Sequence, residues 1–200
     1  MPLKHKIFIN CPFDNQYFPL LKTLLFTIVY LDYIPKISET SDSGVTRLQK
    51  LAEFIKESSL SIHDISRSEP LNSGDLPRFN MPFECGMDFG GLYLTENSKK
   101  KFLILDGKKF RYQKVMSDIA GNDIKIHDNK PEKMVKVIRD WLCSVTGTYD
   151  KPHAREIVQR YMEFEYFYQS TLQDAGLDPN DIESISFSNY TYYVEKFLED

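Results

Sequence analysis

Glu84 lies in a largely apolar segment, residues 79–89, in which Asp88 is the one other carboxylate. Pro82 suits the first turn of a helix, and Asn80 or the residue after it can cap that turn, so Glu84 is predicted near a helix N-terminus. The helix dipole there favours a negative charge, while the apolar neighbours exclude water and raise the pKa of the carboxyl group. An ionised but poorly hydrated carboxylate can stabilise a cation that develops in a transition state. The alternative is a structural Glu84 that caps its own helix or pairs with Arg78.

The composition limits the partners of the chain. Its 200 residues, 42% of them hydrophobic, can form a core in one domain with an appendage. The net charge of -4 argues against a broad nucleic-acid-binding surface, and the one basic run, Lys99 to Lys101, is interpreted as a solvated turn. No signal-peptide core precedes the first strand and no apolar run is long enough to span a bilayer, so no membrane partner is expected.

The cysteines and the glycine pattern exclude several chemistries. Cys11, Cys85 and Cys143 lack CxxC or Cys/His spacing, so neither a disulfide framework nor a metal site is expected, and a reducing cytoplasm fits best. No histidine adjoins Cys11 or Cys85 to activate a thiolate, which disfavours a cysteine nucleophile. Neither GxGxxG nor GxxxxGK[ST] is present, which disfavours a dehydrogenase and a P-loop NTPase.

Strand-like and helix-like segments alternate over residues 1–149. The predicted strands are Lys6 to Asn10, Ile34 to Ile37, Leu60 to Ile65, Phe102 to Leu105 and Ile124 to His127. The predicted helices are Tyr17 to Leu31, Val45 to about Ser58, the Glu84 helix to about Leu94, Arg111 to Ala120, and Pro131 to Val145. This alternation predicts an α/β fold with a parallel sheet of about five strands, covered by helices on both faces.

Residues 150–200 are predicted to form a helical C-terminal extension. One stripe has helical spacing and consists of Ile157, Tyr161, Phe164, Tyr168 and Leu172, and Tyr190 to Leu198 predicts a last short helix. The extension either packs on the α/β domain and completes its core, or forms a surface for a homo-oligomer or a partner protein. The many aromatic residues of the chain favour the second alternative, an interface.

Polar residues gather after the predicted strands, at the carboxyl edge where open parallel sheets bind ligands. We assign Glu84 as the catalytic residue. The assigned substrate-binding residues are Asn10, Phe13, Asp14, Asp42, Ser43, Asp64, Ser66, Arg67, Arg78 and Asn80. Each of these alone is more often a turn or cap residue than a ligand, and it is their joint position that favours a site. His63 alternates with Asp64 on its strand, so it is expected to be a packed core residue.

Three segments together resemble a bacterial group of Toll/interleukin-receptor-like (TIR-like) proteins, which is related in fold to the nucleoside 2-deoxyribosyltransferases. The segments are residues 7–14 (IFINCPFD), 61–67 (SIHDISR) and 77–86 (PRFNMPFECG). The resemblance implies a flavodoxin-like, doubly wound sheet. It also implies cleavage of an N-glycosidic bond, commonly the nicotinamide–ribose bond of NAD, by a Glu that Glu84 matches through its helix and its Glu-x-Gly context. NAD is then the substrate and no cofactor is needed. Defence of bacteria against phage and a homo-oligomeric active form are further implications.

This resemblance implies roles for four of the assigned residues, Glu84, Arg67, Arg78 and Phe13. The catalytic carboxylate would stabilise the positive charge on the ribose while neutral nicotinamide leaves, so no strong general acid is required. Arg67 and Arg78 are candidates for the pyrophosphate, unless they form salt bridges to Glu69 or Asp75 instead. Phe13 is a candidate to stack on the adenine or nicotinamide ring, although a phenylalanine at a loop start also serves as a hydrophobic staple.

The sequence leaves the reaction itself open. Water as the acceptor makes an NAD glycohydrolase, whereas a ring nitrogen of the adenine makes an ADP-ribosyl cyclase. One alternative is a non-catalytic nucleotide-sensing or assembly module whose C-terminal helices bind a partner. Another is an enzyme like the nucleoside 2-deoxyribosyltransferases, with Glu84 as a covalent nucleophile.

Overall fold

Five parallel strands form one sheet in the computed structural model, which describes residues 5–38, 44–70, 72, 74–94, 100–178 and 185–199. The strands are β1 (Lys6–Asn10), β2 (Ile34–Ile37), β3 (Leu60–Asp64), β4 (Lys101–Asp106) and β5 (Lys125–Ile126). Their order across the sheet is β2-β1-β3-β4-β5. This is the order of the flavodoxin-like doubly wound fold, so the predicted fold class is confirmed.

Six α-helices occur in the described part of the chain. They are α1 (Phe18–Tyr30), α2 (Arg47–Glu57), α3 (Asn80–Leu94), α4 (Pro131–Thr146), α5 (Ala154–Asp174) and α6 (Phe187–Glu199). Pro131 occupies the first turn of α4, where its missing N–H is not needed, and Gly147 ends the helix with a φ of 71°. No described helix combines the length and the apolar character needed to cross a membrane.

The helix predicted over Arg111 to Ala120 is wrong. Two short 3-10 helices, Tyr112–Lys114 and Ser117–Ile119, occupy this stretch. Met116 between them has φ -138° and ψ 62°, outside the helical region, so the backbone cannot continue as one helix. Tyr112 is buried in a small cluster with Ile65, Cys85 and Ile104. The burial of Tyr112 in this cluster, and not a helical repeat of apolar residues, accounts for the backbone conformation of this stretch.

Strand residues alternate between the two faces of the sheet. One face joins the main core with α1 and α4, and its strand residues are Ile7, Ile9, Leu60, Ile62, Leu103 and Leu105. The other face carries His63 and Ile104 towards α3. Consecutive residues at the end of β3 therefore face different layers of helices, as predicted for His63 and Asp64.

The C-terminal helices α5 and α6 pack on α1 and α4. The ring of Phe164 lies 5.3 Å from that of Phe26 in α1 and 5.5 Å from that of Tyr190 in α6. The predicted stripe points inward, because Ile157, Phe164, Tyr168 and Leu172 are at most 1% exposed. Most of the aromatic surface of the extension therefore completes the core, while Met162 and Tyr166 remain exposed on α5.

Candidate active site

Glu84 lies in the second turn of α3, with only 6% of its side chain exposed. The helix begins at Asn80, and the N–H of Phe83 donates to the carbonyl oxygen of Phe79 at 3.0 Å. Asn80 is therefore an exposed residue inside the first turn, and its predicted capping role is wrong. Burial raises the pKa of Glu84 above its ordinary value, and Arg47 offsets part of this rise. The carboxylate is thus poorly hydrated, in the direction that its apolar neighbours predicted.

Arg47 is the hydrogen-bonding partner of Glu84 among the described residues. Its Nη2 donates to Oε1 of Glu84 at 2.9 Å. Arg47 is the first residue of α2, which starts here because Thr46 and Gln49 form a reciprocal capping box. The pairing of Glu84 with Arg78 considered from the sequence is wrong. Arg78 is exposed, and its backbone N–H donates to the carbonyl oxygen of Arg67 at 3.2 Å.

Asp14 and Arg67, both assigned to the substrate, bind each other. Nε and Nη2 of Arg67 donate to the two carboxylate oxygens of Asp14, each at 2.9 Å. Burial alone would raise the pKa of Asp14, but the guanidinium of Arg67 outweighs it and holds the pKa below its usual range. The predicted alternative partners Glu69 and Asp75 are wrong for Arg67. An arginine that is 9% exposed and already bidentate is not free for a pyrophosphate.

Asp64 is fully buried at the end of β3. The hydroxyl of Tyr17 donates to its Oδ2 at 2.6 Å, the N–H of Ser66 donates to its Oδ1 at 2.9 Å, and Nε2 of His127 lies 3.0 Å from Oδ2. The N–H of Asn129 donates to Nδ1 of His127 at 3.0 Å, which leaves Nε2 as the ring nitrogen nearest to the carboxylate. Burial raises the pKa of Asp64, but these partners outweigh it and the net shift is downward.

Asn10 anchors the start of α3 to the sheet. Its Nδ2 donates to the carbonyl oxygen of Met81 at 2.8 Å and lies 3.1 Å from Nδ1 of His63. Nε2 of His63 lies 3.0 Å from Oδ2 of Asp88, whose Oδ1 lies 2.5 Å from Nζ of Lys100. Burial, only partly offset by Asp88, lowers the pKa of His63. The side chains of Asn10 and His63 therefore both take part in contacts that hold α3 to the sheet.

Lys100 corrects the interpretation of the basic run as a solvated turn. It is 5% exposed and donates to the carbonyl oxygen of Ile55 at 2.6 Å, in addition to its ion pair with Asp88. Lys101 is the first residue of β4, and Lys99 lies outside the described residues.

Asp106 and Arg111 form a polar cluster that sequence reasoning missed. Arg111 binds the buried carboxylate of Asp106 at the end of β4, and its Nη1 lies 3.7 Å from Oε2 of Glu69. Burial lowers the pKa of Arg111, and the opposite effect of Glu69 is smaller. Asp106 is the last residue of β4 and His127 directly follows β5, so the rule that placed Asp64 at the carboxyl edge predicts them too. The same rule does not predict Arg47, because Arg47 belongs to α2 and does not follow a strand directly.

Cys11 directly follows β1 and is buried at the carboxyl edge of the sheet. Burial raises the pKa of its thiol well above the ordinary value, and the negative charges of Asp64, Glu84 and Asp14 raise it further. The raised pKa keeps the thiol protonated at neutral pH, which agrees with the sequence argument against a cysteine nucleophile. No group of three or more potential metal ligands is placed to hold an ion within the described ranges.

The remaining assigned residues lie at the rim or elsewhere. The ring of Phe13 packs 5.5 Å from that of Phe187 in α6. Ser66 is 3% exposed, and its hydroxyl has no hydrogen-bond partner in the described structure. Arg78 borders an open depression of about 290 Å³ that is lined by Arg67, Glu69, Asp75, Leu76 and Arg78. Asp42 and Ser43 lie outside the described residues.

Scanning the chain against protein-family models and searching the curated proteins both return no match. The resemblance to TIR-like proteins therefore stays a prediction.

Proposed function

We propose that the chain cleaves an N-glycosidic bond, with Glu84 as the catalytic residue and NAD as the substrate. The observation that carries this proposal is the environment of Glu84. Its carboxylate is 6% exposed at the carboxyl edge of a flavodoxin-like sheet, and a single half-exposed arginine is its described hydrogen-bonding partner. Ligands bind at this edge in open α/β sheets, and perturbed carboxylates in clefts are candidates for catalysis.

The chemistry requires little more than this carboxylate. As the nicotinamide bond breaks, positive charge spreads over C1′ and the ring oxygen of the ribose. Glu84 stabilises that charge, and it does so strongly because burial keeps water from screening the carboxylate. Nicotinamide leaves as a neutral molecule, so the protein need not supply a proton. His127 and His63 are both engaged with buried carboxylates, consistent with a mechanism that uses no histidine as an acid.

The phosphates of the substrate need a cation at the rim. Of the two arginines assigned to them, Arg67 is bound by Asp14, whereas Arg78 is exposed beside the 290 Å³ depression. Arg78 is therefore the better candidate of this pair for the pyrophosphate. The three cysteines are unpaired and buried, which supports a reducing compartment such as the cytoplasm. Phage defence and a homo-oligomeric active form have the resemblance as their support.

The test is incubation of the purified protein at high concentration with NAD, followed by chromatography for nicotinamide and for linear or cyclic ADP-ribose. Glu84→Gln removes the charge but keeps the shape, and Glu163→Gln makes the same change at an exposed position on α5. Nicotinamide release that Glu84→Gln abolishes and Glu163→Gln retains would support the proposal and identify the acceptor. Base exchange on deoxynucleosides, with NAD inert, would replace it by a deoxyribosyltransferase-like reaction. Binding without turnover of either substrate would favour a nucleotide-sensing module.

A further inference from the structure

Arg47 and Glu84 form an ion pair whose two members are very unequally hydrated. The side chain of Arg47 is 48% exposed, whereas that of Glu84 is 6% exposed. The pair is joined by one hydrogen bond of 2.9 Å, from Nη2 to Oε1. The guanidinium can therefore leave the carboxylate for another anion while it stays largely in contact with water.

Arg67 and Arg111, also at the carboxyl edge, differ from Arg47 in this respect. Arg67 is held by two hydrogen bonds and its side chain is 11% exposed. Arg111 contacts both Asp106 and Glu69, and its side chain is 10% exposed. Each of them is therefore held by at least two contacts, against the single hydrogen bond that holds Arg47. Arg47 is held less firmly than either and directly adjoins the proposed catalytic group.

We infer that Arg47 binds a phosphate group of the substrate and thereby releases Glu84 from the ion pair. This inference rests on the proposed function. A phosphate offers the guanidinium two oxygens in a bidentate geometry, whereas Glu84 accepts one hydrogen bond from it. Once Arg47 has moved, the buried charge of Glu84 is no longer offset, and it is available to the developing cation on the ribose.

The exchange makes the protein selective for nucleotides over nucleosides. A ligand without a phosphate leaves Arg47 on Glu84, and the cation of the pair then opposes positive charge on the sugar. A phosphorylated ligand supplies the replacement partner itself. In the free protein, Arg47 therefore offsets the negative charge of Glu84 through the ion pair.

The test measures binding of ADP-ribose and of adenosine by calorimetry, because neither ligand contains the scissile bond. Glu84→Gln should tighten ADP-ribose binding on the order of tenfold, since Arg47 no longer has to leave an ion pair. Arg47→Gln should weaken ADP-ribose binding by a similar factor and leave adenosine unchanged. In the double variant that combines Arg47→Gln with Glu84→Gln, the Glu84→Gln change should no longer tighten ADP-ribose binding. Arg155→Gln removes the same charge at an exposed position on α5 and should change neither affinity.

The outcomes separate this inference from the proposed function. Tightening by Glu84→Gln that persists in the double variant would reflect general electrostatics and overturn the inference. So would the absence of ADP-ribose binding to both the parent and Glu84→Gln, or equal weakening of ADP-ribose and adenosine by Arg47→Gln. Arg47-dependent binding of ADP-ribose together with inert NAD would overturn catalysis but retain the phosphate site. Circular dichroism of each variant confirms folding, which half-exposed Arg47 is not expected to control.

Discussion

His63 and Asp88 meet between the sheet and α3, with Nε2 3.0 Å from Oδ2 and no exposed surface on either side chain. Asp88 lies one helical turn after Glu84 and also pairs with Lys100, while the carbonyl oxygen of Met81, three residues before Glu84, accepts from Asn10. The turn that carries the candidate catalytic group is thus fixed to the sheet on both sides. This rigidity is what a positioned carboxylate requires.

Lys100→Met should destabilise the protein by about 3–5 kcal/mol, because it leaves the buried carboxylate of Asp88 without its ammonium partner. The free energy of unfolding can be measured in urea through the fluorescence of the single tryptophan. Lys50→Met provides the control, since Lys50 and Glu53 form an exposed pair at 3.4 Å and little change is expected. Equal effects of the two substitutions would contradict a structural role for Lys100.

Glu84→Gln should stabilise the protein at pH 7. Burial raises the pKa of Glu84, so the folded state disfavours the ionised carboxylate relative to the unfolded state. The penalty is absent below the unfolded pKa of 4.5, develops as pH rises through the folded pKa, and amounts to about 1.4 kcal/mol for each pKa unit of the rise. Urea titrations at several pH values should show the gain vanish on acidification. A variant less stable than the parent at neutral pH would refute this account.

Asp14→Asn and Arg67→Gln should each destabilise the protein and should show a coupling free energy of about 0.5–3 kcal/mol in a double-mutant cycle. The two side chains share two hydrogen bonds, and Asp14 also accepts from the N–H of Tyr17 just before α1. Unfolding in urea gives the four free energies. If the single effects simply add, the bidentate pair does not contribute to stability and Arg67 regains its predicted role as a substrate ligand.

Cys11 and Cys85 should resist alkylation by iodoacetamide in the native protein. Burial raises the pKa of Cys11 well above its ordinary value and raises that of Cys85 to about 12, so thiolate is scarce at neutral pH. Mass spectrometry after labelling with and without urea counts the modified thiols. Both should react only after unfolding, and rapid native labelling of Cys11 would show that the carboxyl edge is more open than described.

Phe164→Ala should cost about 3–5 kcal/mol of stability, because the ring is fully buried between α1 and α6. Tyr166→Ala, two residues along α5, changes an 80% exposed side chain and should alter stability by no more than about 0.5 kcal/mol. Light scattering of the second variant tests the predicted oligomer, since a mass reduced from that of an oligomeric parent would place Tyr166 in its interface. Equal destabilisation by both substitutions would contradict the packing of α5.

The sheet could be predicted because each strand is a short β-rich run and most of these runs are separated by segments with helical spacing. Asn10, Asp64 and Glu84 were placed at the carboxyl edge by the same alternation, since parallel strands all end at one edge. Fold class and the neighbourhood of the site therefore follow from local pattern alone.

Pairings between distant segments could not be predicted. Arg47 lies 37 residues from Glu84, and Tyr17 lies 47 residues from Asp64, so no local spacing links either pair. Lys100 sits in a run of three lysines that local composition assigns to solvent, and only the position of Asp88 on α3 draws it inward. Tertiary contacts overrode local preference at these positions, as they did around Tyr112.

The packing of α6 on α1 has a consequence for synthesis of the protein on the ribosome. The hydroxyl of Tyr190 donates to the carbonyl oxygen of Lys22, across 168 residues of sequence. The apolar face of α1 that Tyr190, Val194 and Phe197 help to bury is made early and stays uncovered until α6 emerges. A nascent chain in which all five strands have been synthesised would thus still expose the apolar face of α1. Chaperones that bind apolar surface during translation should therefore bind mainly at α1.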